Sequence, residues 1–242
     1  MDFRSKKPLR KLSKNEFNSD VKKFIRSAHK FYDSKIPEMK TLAKKMQEEY
    51  ELKEFYKVFR RLWNSGYHGE RSLAIKTLLT YENEFDKKTW NFLIPFLNDI
   101  RDFDEADAFG EIIGKILVRN DLLKREIKKL SKRKNILLKR VALVSCFPLV
   151  KKRDLDFIFK ILEERINDKE RKMQEINGKL LSALSKVNKR ETKKFILKHK
   201  DMSKLTFEFA TENLKELRKS RNVKKLGRDK RGFLFLKYLR RE

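Results

Sequence analysis

Apolar residues recur every three or four positions almost from one end of the chain to the other, the spacing that puts them on one face of an α-helix. Phe55, Val58, Phe59 and Leu62 make one stripe, and Leu73, Ile75, Leu78 and Leu79 the next. Trp90, Phe92, Leu93, Pro95, Phe96 and Ile100 follow, then Phe109, Ile112, Ile113, Ile116 and Leu117. Later stripes run through Leu137, Val141, Leu143 and Val144, through Leu155, Phe157, Ile158 and Ile161, and through Leu180, Leu181 and Leu184. Leu205, Phe207, Phe209 and Leu214 make the last. The breaks between stripes are short and polar. Asn64-Ser65-Gly66 closes one helix, with Gly66 suited to a left-handed C-terminal position. Asp86, Asp154 and Ser203 stand where N-caps are expected. The pattern predicts roughly a dozen helices of about 10–18 residues joined by brief turns, a rhythm that a solenoid of stacked helix pairs satisfies. A compact all-α bundle satisfies it too.

Composition narrows the class. Of 242 residues, 39% are hydrophobic, and 19 Phe supply bulk for a core. Seven Gly and four Pro are too few for a turn-rich β-sandwich or barrel, or for the glycine loops of most nucleotide-binding α/β folds. Cys146 is the only cysteine, which rules out an intrachain disulfide and cysteine-rich metal ligation and fits a reducing, cytoplasmic setting. His29, His68 and His199 show no ligand spacing, so no metal is expected. The basic start, MDFRSKKPLRKLSK, lacks the apolar run of a secretory signal. The longest uncharged stretch, Val141 to Val150, is about half a membrane span and reads as one buried core helix.

Charge changes the picture most. With 63 Lys+Arg against 35 Asp+Glu the net charge is +28, which calls for a polyanionic partner. Nucleic acid is the first candidate and an anionic membrane surface the second. The densest positive run in the helical part is Lys124, Arg125, Lys128, Lys129, Lys132, Arg133 and Lys134. An amphipathic helix turns only part of such a run toward a ligand. Lys132, Arg133, Lys139 and Arg140 are the expected phosphate contacts, because they lie in or lead into one helix. Trp63 and Trp90 sit on apolar stripes and are expected in the core, and Gly110 and Gly114 at close helix contacts. Three segments follow: a basic tail over 1–15, the helical body over 16–217, and a basic, aromatic segment over 218–242. In the last, Phe233, Leu234, Phe235, Leu236 and Tyr238 are expected to dock on the end of the body.

No Walker loop, GxSxG elbow, HExxH helix or dinucleotide fingerprint is present, which removes most familiar enzymes. One acidic cluster stands out: Arg101-Asp102-Phe103-Asp104-Glu105-Ala106-Asp107, at the head of the helix running to about Arg119. Acids in a first helical turn complement the macrodipole, and Asp104 with Asp107 has the spacing of a capping box. The competing reading is functional. In so basic a chain, an acidic cluster near a DNA surface repels phosphate and needs a reason to be there.

These segments carry a resemblance. From about Phe31 to Leu214 the chain resembles the DNA alkylation repair glycosylases of the AlkD type, solenoids of HEAT-like helix pairs. FYDSKIPEMKTLAKK resembles that family's first repeat, and LWNSGYHGERSLAIKTLL its "Leu-Trp, short turn, Glu-Arg" junction. FDEADAFGEIIG resembles its Trp-Asp-x-x-Asp element, and LLKRVALV the helix with its functional arginine. INGKLLSALSKVNKRETKKFI resembles the following repeat, in which the family's Gly-Trp pair reads Gly178-Lys179. The resemblance implies an all-α fold, a right-handed solenoid of antiparallel HEAT-like helix pairs. It also implies that Asp107 is the catalytic carboxylate and Arg140 a DNA-contacting arginine. Phe103 falls where the family has one tryptophan of its aromatic cleft, and Lys179 where it has the other. Phe103 keeps a ring face, whereas Lys179 offers a phosphate contact instead.

The implied activity is hydrolysis of the N-glycosidic bond of cationic alkylated purines in double-stranded DNA, by a monomer with no cofactor or metal. Two other readings fit the residues. One is a non-catalytic module binding distorted or branched DNA, which Lys179 favours. The other is a scaffold for structured RNA, which the charge fits equally well.

Overall fold

The computed structural model describes residues 36–218. They are helical throughout, with no strand among the described residues, so the all-α expectation holds. The two flanking segments of the sequence reading lie largely outside the described residues. The chain divides into two compact units, with the boundary between Arg125 and Glu126.

The first unit contains α1 (Ile36–Glu49), α2 (Leu52–Asn64), α3 (His68–Leu79), α4 (Lys87–Leu93) and α5 (Phe103–Arg119), with 3-10 turns at Glu82–Glu84, Ile94–Asp99 and Asp121–Leu123. The stripe Phe55, Val58, Phe59, Leu62 is fully buried, as its spacing requires. Rings dominate this core. Phe55 stacks on Tyr81 at 5.5 Å, Phe59 on Trp63 at 5.7 Å, and Trp63 meets Phe109 edge-on at 5.2 Å. Trp63 and Trp90 are core residues, as expected. Helix α2 ends at Ser65, and Gly66 follows at φ +79°, a conformation that costs glycine little. Helix α3 packs against α1, α2 and α5. It buries residues on every side, among them Gly69, Arg71, Leu73, Ala74, Ile75, Thr77 and Leu78. A charged residue on such a helix goes into the interior with the rest and has to be paired there.

The second unit contains α6 (Lys124–Ser131), whose first two residues precede the boundary, then α7 (Ile136–Val144), α8 (Phe147–Lys151), α9 (Leu155–Arg165), α10 (Arg171–Val187), α11 (Lys189–Lys198) and α12 (Lys204–Ala210). Helix α10 is its hub and touches α7, α8, α9, α11 and α12. The contact with α12 is close enough that a Cβ on Gly178 would lie 2.5 Å from the Cβ of Phe209 and 2.6 Å from the carbonyl oxygen of Thr206.

Several local expectations are met and three are corrected. Asp86 caps α4 in a full capping box, and the Ser203 hydroxyl accepts from the Thr206 N–H at 3.0 Å. Asp154 stands at the head of α9 but makes no side-chain cap bond there. It follows Arg153, whose φ is +58°, and its own backbone sits outside the extended region that aims a cap side chain at the helix. Val141–Val150 is not one helix. It divides into α7 and α8, with Pro148 in the first turn of α8, where its missing N–H costs nothing. The third correction, at the head of α5, belongs to the site.

Candidate functional site

The acidic cluster at the head of α5 is built around a buried arginine. Arg71 is 1% exposed, and its guanidinium stacks on the Trp63 indole with the central carbon 3.5 Å from the ring centroid. Its Nε donates to Glu105 Oε1 at 2.5 Å and its Nη2 to Glu105 Oε2 at 2.7 Å, a planar two-point contact. Nη1 donates to Asp99 Oδ2 at 2.9 Å, and Nη2 also reaches the Asp99 carbonyl at 2.6 Å. The Trp63 indole N–H donates to the same Asp99 Oδ2 at 2.7 Å. Burial by itself would weaken the Arg71 cation. The bonds from Glu105 and Asp99 outweigh it and hold its pKa above the ordinary value. Asp99 mirrors this: burial acts upward, but the Arg71 and Trp63 donors hold its carboxyl below the usual range.

This network sets the register of the helix start. The sequence reading places a capping box at Asp104 and Asp107. The cap is instead Asp102, whose Oδ1 accepts from the Glu105 N–H at 2.8 Å. Glu105, 3% exposed, turns inward to Arg71 and also accepts from the Arg101 N–H at 2.9 Å. The physical reason is non-local, since an arginine 34 residues upstream selects which acid of the run is buried. Asp104 is left exposed, with Phe103 and Asp107 half-buried. The turn before α3 is joined to the same point. Arg101 Nη1 donates to the Gly66 carbonyl at 2.9 Å, and His68 Nδ1 lies 3.7 Å from Asp102 Oδ2.

His68, Asp102 and Glu105 bring ligand-type atoms within 4.8 Å of one another. Both Glu105 oxygens already accept from donors within the protein, so the group is organised as an ion-pair network and is a poor metal-ligand set.

The other residues singled out from the sequence lie in the second unit. Arg140, on α7, is 6% exposed, and its guanidinium donates to the Lys172 carbonyl at the start of α10. Lys139 beside it is half-buried. Lys132 and Arg133 are exposed in the turn between α6 and α7, with Lys132 Nζ 3.7 Å from Glu164. Lys179 is exposed on α10 and lies over the Phe209 ring at 5.5 Å. Gly110 and Gly114 are buried on α5.

The sequence reading missed Arg71, Glu105 and Asp99 as a unit. The local sequence gives little signal, because Arg71 stands among polar neighbours, between Glu70 and Ser72, and reads as a solvent-facing residue.

Among the described residues no helix is long and apolar enough to cross a membrane. No curated protein sequence matches the chain. A solved structure described as a predicted DNA alkylation repair enzyme from Enterococcus faecalis matches with a TM-score of 0.63 at 18% identity, over 74% of this chain and 86% of that one. At that identity the likeness is one of fold. The family model for DNA alkylation repair enzymes matches residues 5–214. That span covers most of the chain, reaches into both units and includes the whole acidic cluster, and the chain belongs to the DNA alkylation repair enzyme family.

Proposed function

We propose that the protein is a DNA glycosylase that binds duplex DNA on a basic face of a right-handed HEAT-like solenoid and releases cationic alkylated purines. The observation that carries this reading is the head of α5, where four acids, Asp102, Asp104, Glu105 and Asp107, gather within six residues of a +28 chain, with Asp102 capping the helix and Glu105 turned inward to Arg71. Asp107 lies half-buried one helical turn beyond Phe103. A purine alkylated at N3 or N7 carries a positive charge. When its glycosidic bond breaks, the bonding electron pair goes to the base, which leaves neutral without an acid. The sugar is left as an oxocarbenium-like cation. The Asp107 carboxylate stabilises that cation and orients the water that adds to it, and the added water gives up one proton to solvent, leaving a neutral sugar hydroxyl. One such preorganised charge contributes on the order of 3–4 kcal/mol to the barrier. The Phe103 ring offers a face to the cationic nucleotide, worth roughly 0.5–2 kcal/mol.

Arg140, fixed by the Lys172 carbonyl, supplies positive charge toward the phosphates, and Lys132, Arg133, Lys139 and Lys179 add backbone contacts that hold the duplex without reading sequence. The protein acts as a monomer in the cytoplasm, with no metal or cofactor in the reaction. One observation favours a second reading. Lys179 puts an exposed ammonium where the resemblance implies a tryptophan, and this suits a module that grips distorted or branched DNA without cutting it.

The deciding experiment is single-turnover release of 7-methylguanine from a defined duplex by wild type and Asp107→Asn. Release by wild type that falls about 100-fold or more in the variant, with duplex affinity kept, is the expected result. No release by wild type, with tight duplex binding, establishes the non-catalytic module.

A further inference from the structure

From the geometry around Arg71 we infer that Arg71 and Glu105 are positioning residues: together they fix the rotation of α5 that aims Phe103 and Asp107 outward. The inference rests on the reading of Asp107 as the carboxylate of the reaction, and its test separates the two.

At about 100° per residue, Phe103 and Asp107 lie about 40° apart around α5, and Glu105 lies about 160° from either. The helix start therefore has one side that is anchored and one that is presented. The anchored side carries Glu105, whose two oxygens receive three donors: Arg71 Nε, Arg71 Nη2 and the Arg101 N–H. A two-point contact between planar groups sets an angle as well as a distance, which a lysine ammonium would not do. Turning α5 about its axis would break both bonds to Arg71.

The arginine cannot follow such a turn. Two further N–H groups, one on Nη1 and one on Nη2, are committed to the Asp99 carboxylate and carbonyl, and its face is against Trp63. Trp63 is in turn held by its own bond to Asp99 and by Phe59, Phe96 and Phe109 around it. Asp99 closes the 3-10 turn three residues before the Asp102 cap. So the cation is tied to the segment just ahead of α5 and, through Glu105, to its first turn. A buried pair of this kind contributes little net stability compared with apolar residues of the same size, so its value lies in geometry. A site that must hold a carboxylate near a sugar within fractions of an ångström needs such support behind it.

The test replaces the pair by apolar side chains of similar length, Arg71→Met with Glu105→Met, in the full chain. Asp99 keeps its Trp63 bond in that variant, and its carboxylate is 52% exposed, so no charge is left stranded in the interior. Three quantities are measured: the melting temperature, hydrogen–deuterium exchange of the 101–109 segment, and single-turnover release of 7-methylguanine at saturating protein. The expected result is a melting temperature within a few degrees of wild type, about tenfold faster exchange confined to that segment, and release slowed about tenfold or more. Wild-type exchange and wild-type release in a folded variant would overturn the inference and leave the pair as packing alone. If the wild-type protein releases no base, the glycosylase reading fails, but the exchange measurement still decides the positioning role. If the double variant does not fold, Arg71→Lys keeps the charge and loses the planar contact, and the same exchange comparison applies to it.

Discussion

At the scale of single residues the site is a contest for one arginine. Three polar groups, the carboxylates of Asp99 and Glu105 and the Trp63 indole, converge on or beside Arg71, and the outcome fixes which acids of the cluster face inward. The arrangement has a pH signature. Asp99 has a lower pKa in the folded protein than in the unfolded chain, so below the ordinary aspartate value, about 3.9, the unfolded chain takes up more protons than the folded one. The stability this carboxylate contributes is fully present above that pH and is lost as pH falls through the folded value. Asp99→Asn should therefore flatten the dependence of unfolding free energy on pH below about 4, as read by urea denaturation at successive pH values. An unchanged slope would mean that the bonds to Arg71 and Trp63 do not hold the carboxylate as described. The sequence displays the acidic run openly and marks Asp107 through the family resemblance. It does not display the inward turn of Glu105, because local spacing is equally satisfied by a cap at Asp102 or at Asp104. The choice is made by Arg71, on another helix, and no window on the chain contains both.

At the scale of elements, helices with a regular stripe are legible and those punctuated by proline or built at a close approach are not. Phe55, Val58, Phe59 and Leu62 predict α2, and Gly66 marks its end, because helical periodicity and a left-handed turn are local properties. The division of Val141–Val150 into α7 and α8 is harder to see, since an uncharged run has no polar break and only Pro148 marks the second start. Gly178 is a stronger case. The resemblance identifies the position but not its physics, which is the approach of α12 onto α10. Because the atoms a Cβ would meet include the Thr206 carbonyl oxygen as well as the Phe209 side chain, the neighbour cannot simply rotate away. Gly178→Ala should lower stability by roughly 1–3 kcal/mol, the usual cost of overpacking, seen as a lower urea midpoint at unchanged slope. It should also displace Phe209 from beneath Lys179, so any DNA contact by that lysine should weaken in the same variant.

For the whole molecule the dominant quantity is the +28 charge, and its effect depends on how much of it the protein already answers internally. The sequence makes the charge and its polyanionic partner plain. It does not reveal two compact units, because their boundary falls within α6, between Arg125 and Glu126, with no glycine, proline or change of composition to mark it. Nor does it separate cations that face carboxylates from those that do not, which is a matter of three-dimensional pairing. Lys198 Nζ lies 2.5 Å from Glu163 and holds that carboxyl below its usual range, whereas Arg133 is exposed in the turn before α7. Counterions condensed on DNA are released by cations that replace them at phosphate, and an ammonium already satisfied by a carboxylate replaces fewer. Each genuine phosphate contact contributes about 0.9 to the slope of log K against log salt concentration for duplex DNA. Removing Arg133 with Arg133→Ala should thus reduce the slope by close to that amount, and Lys198→Ala by much less. Both are read from fluorescence-anisotropy titrations of one undamaged duplex over a salt series. Equal losses would mean that the protein binds DNA through its net charge alone. A loss confined to Arg133→Ala would locate the duplex at the turn between α6 and α7 and give the basic run there a defined role.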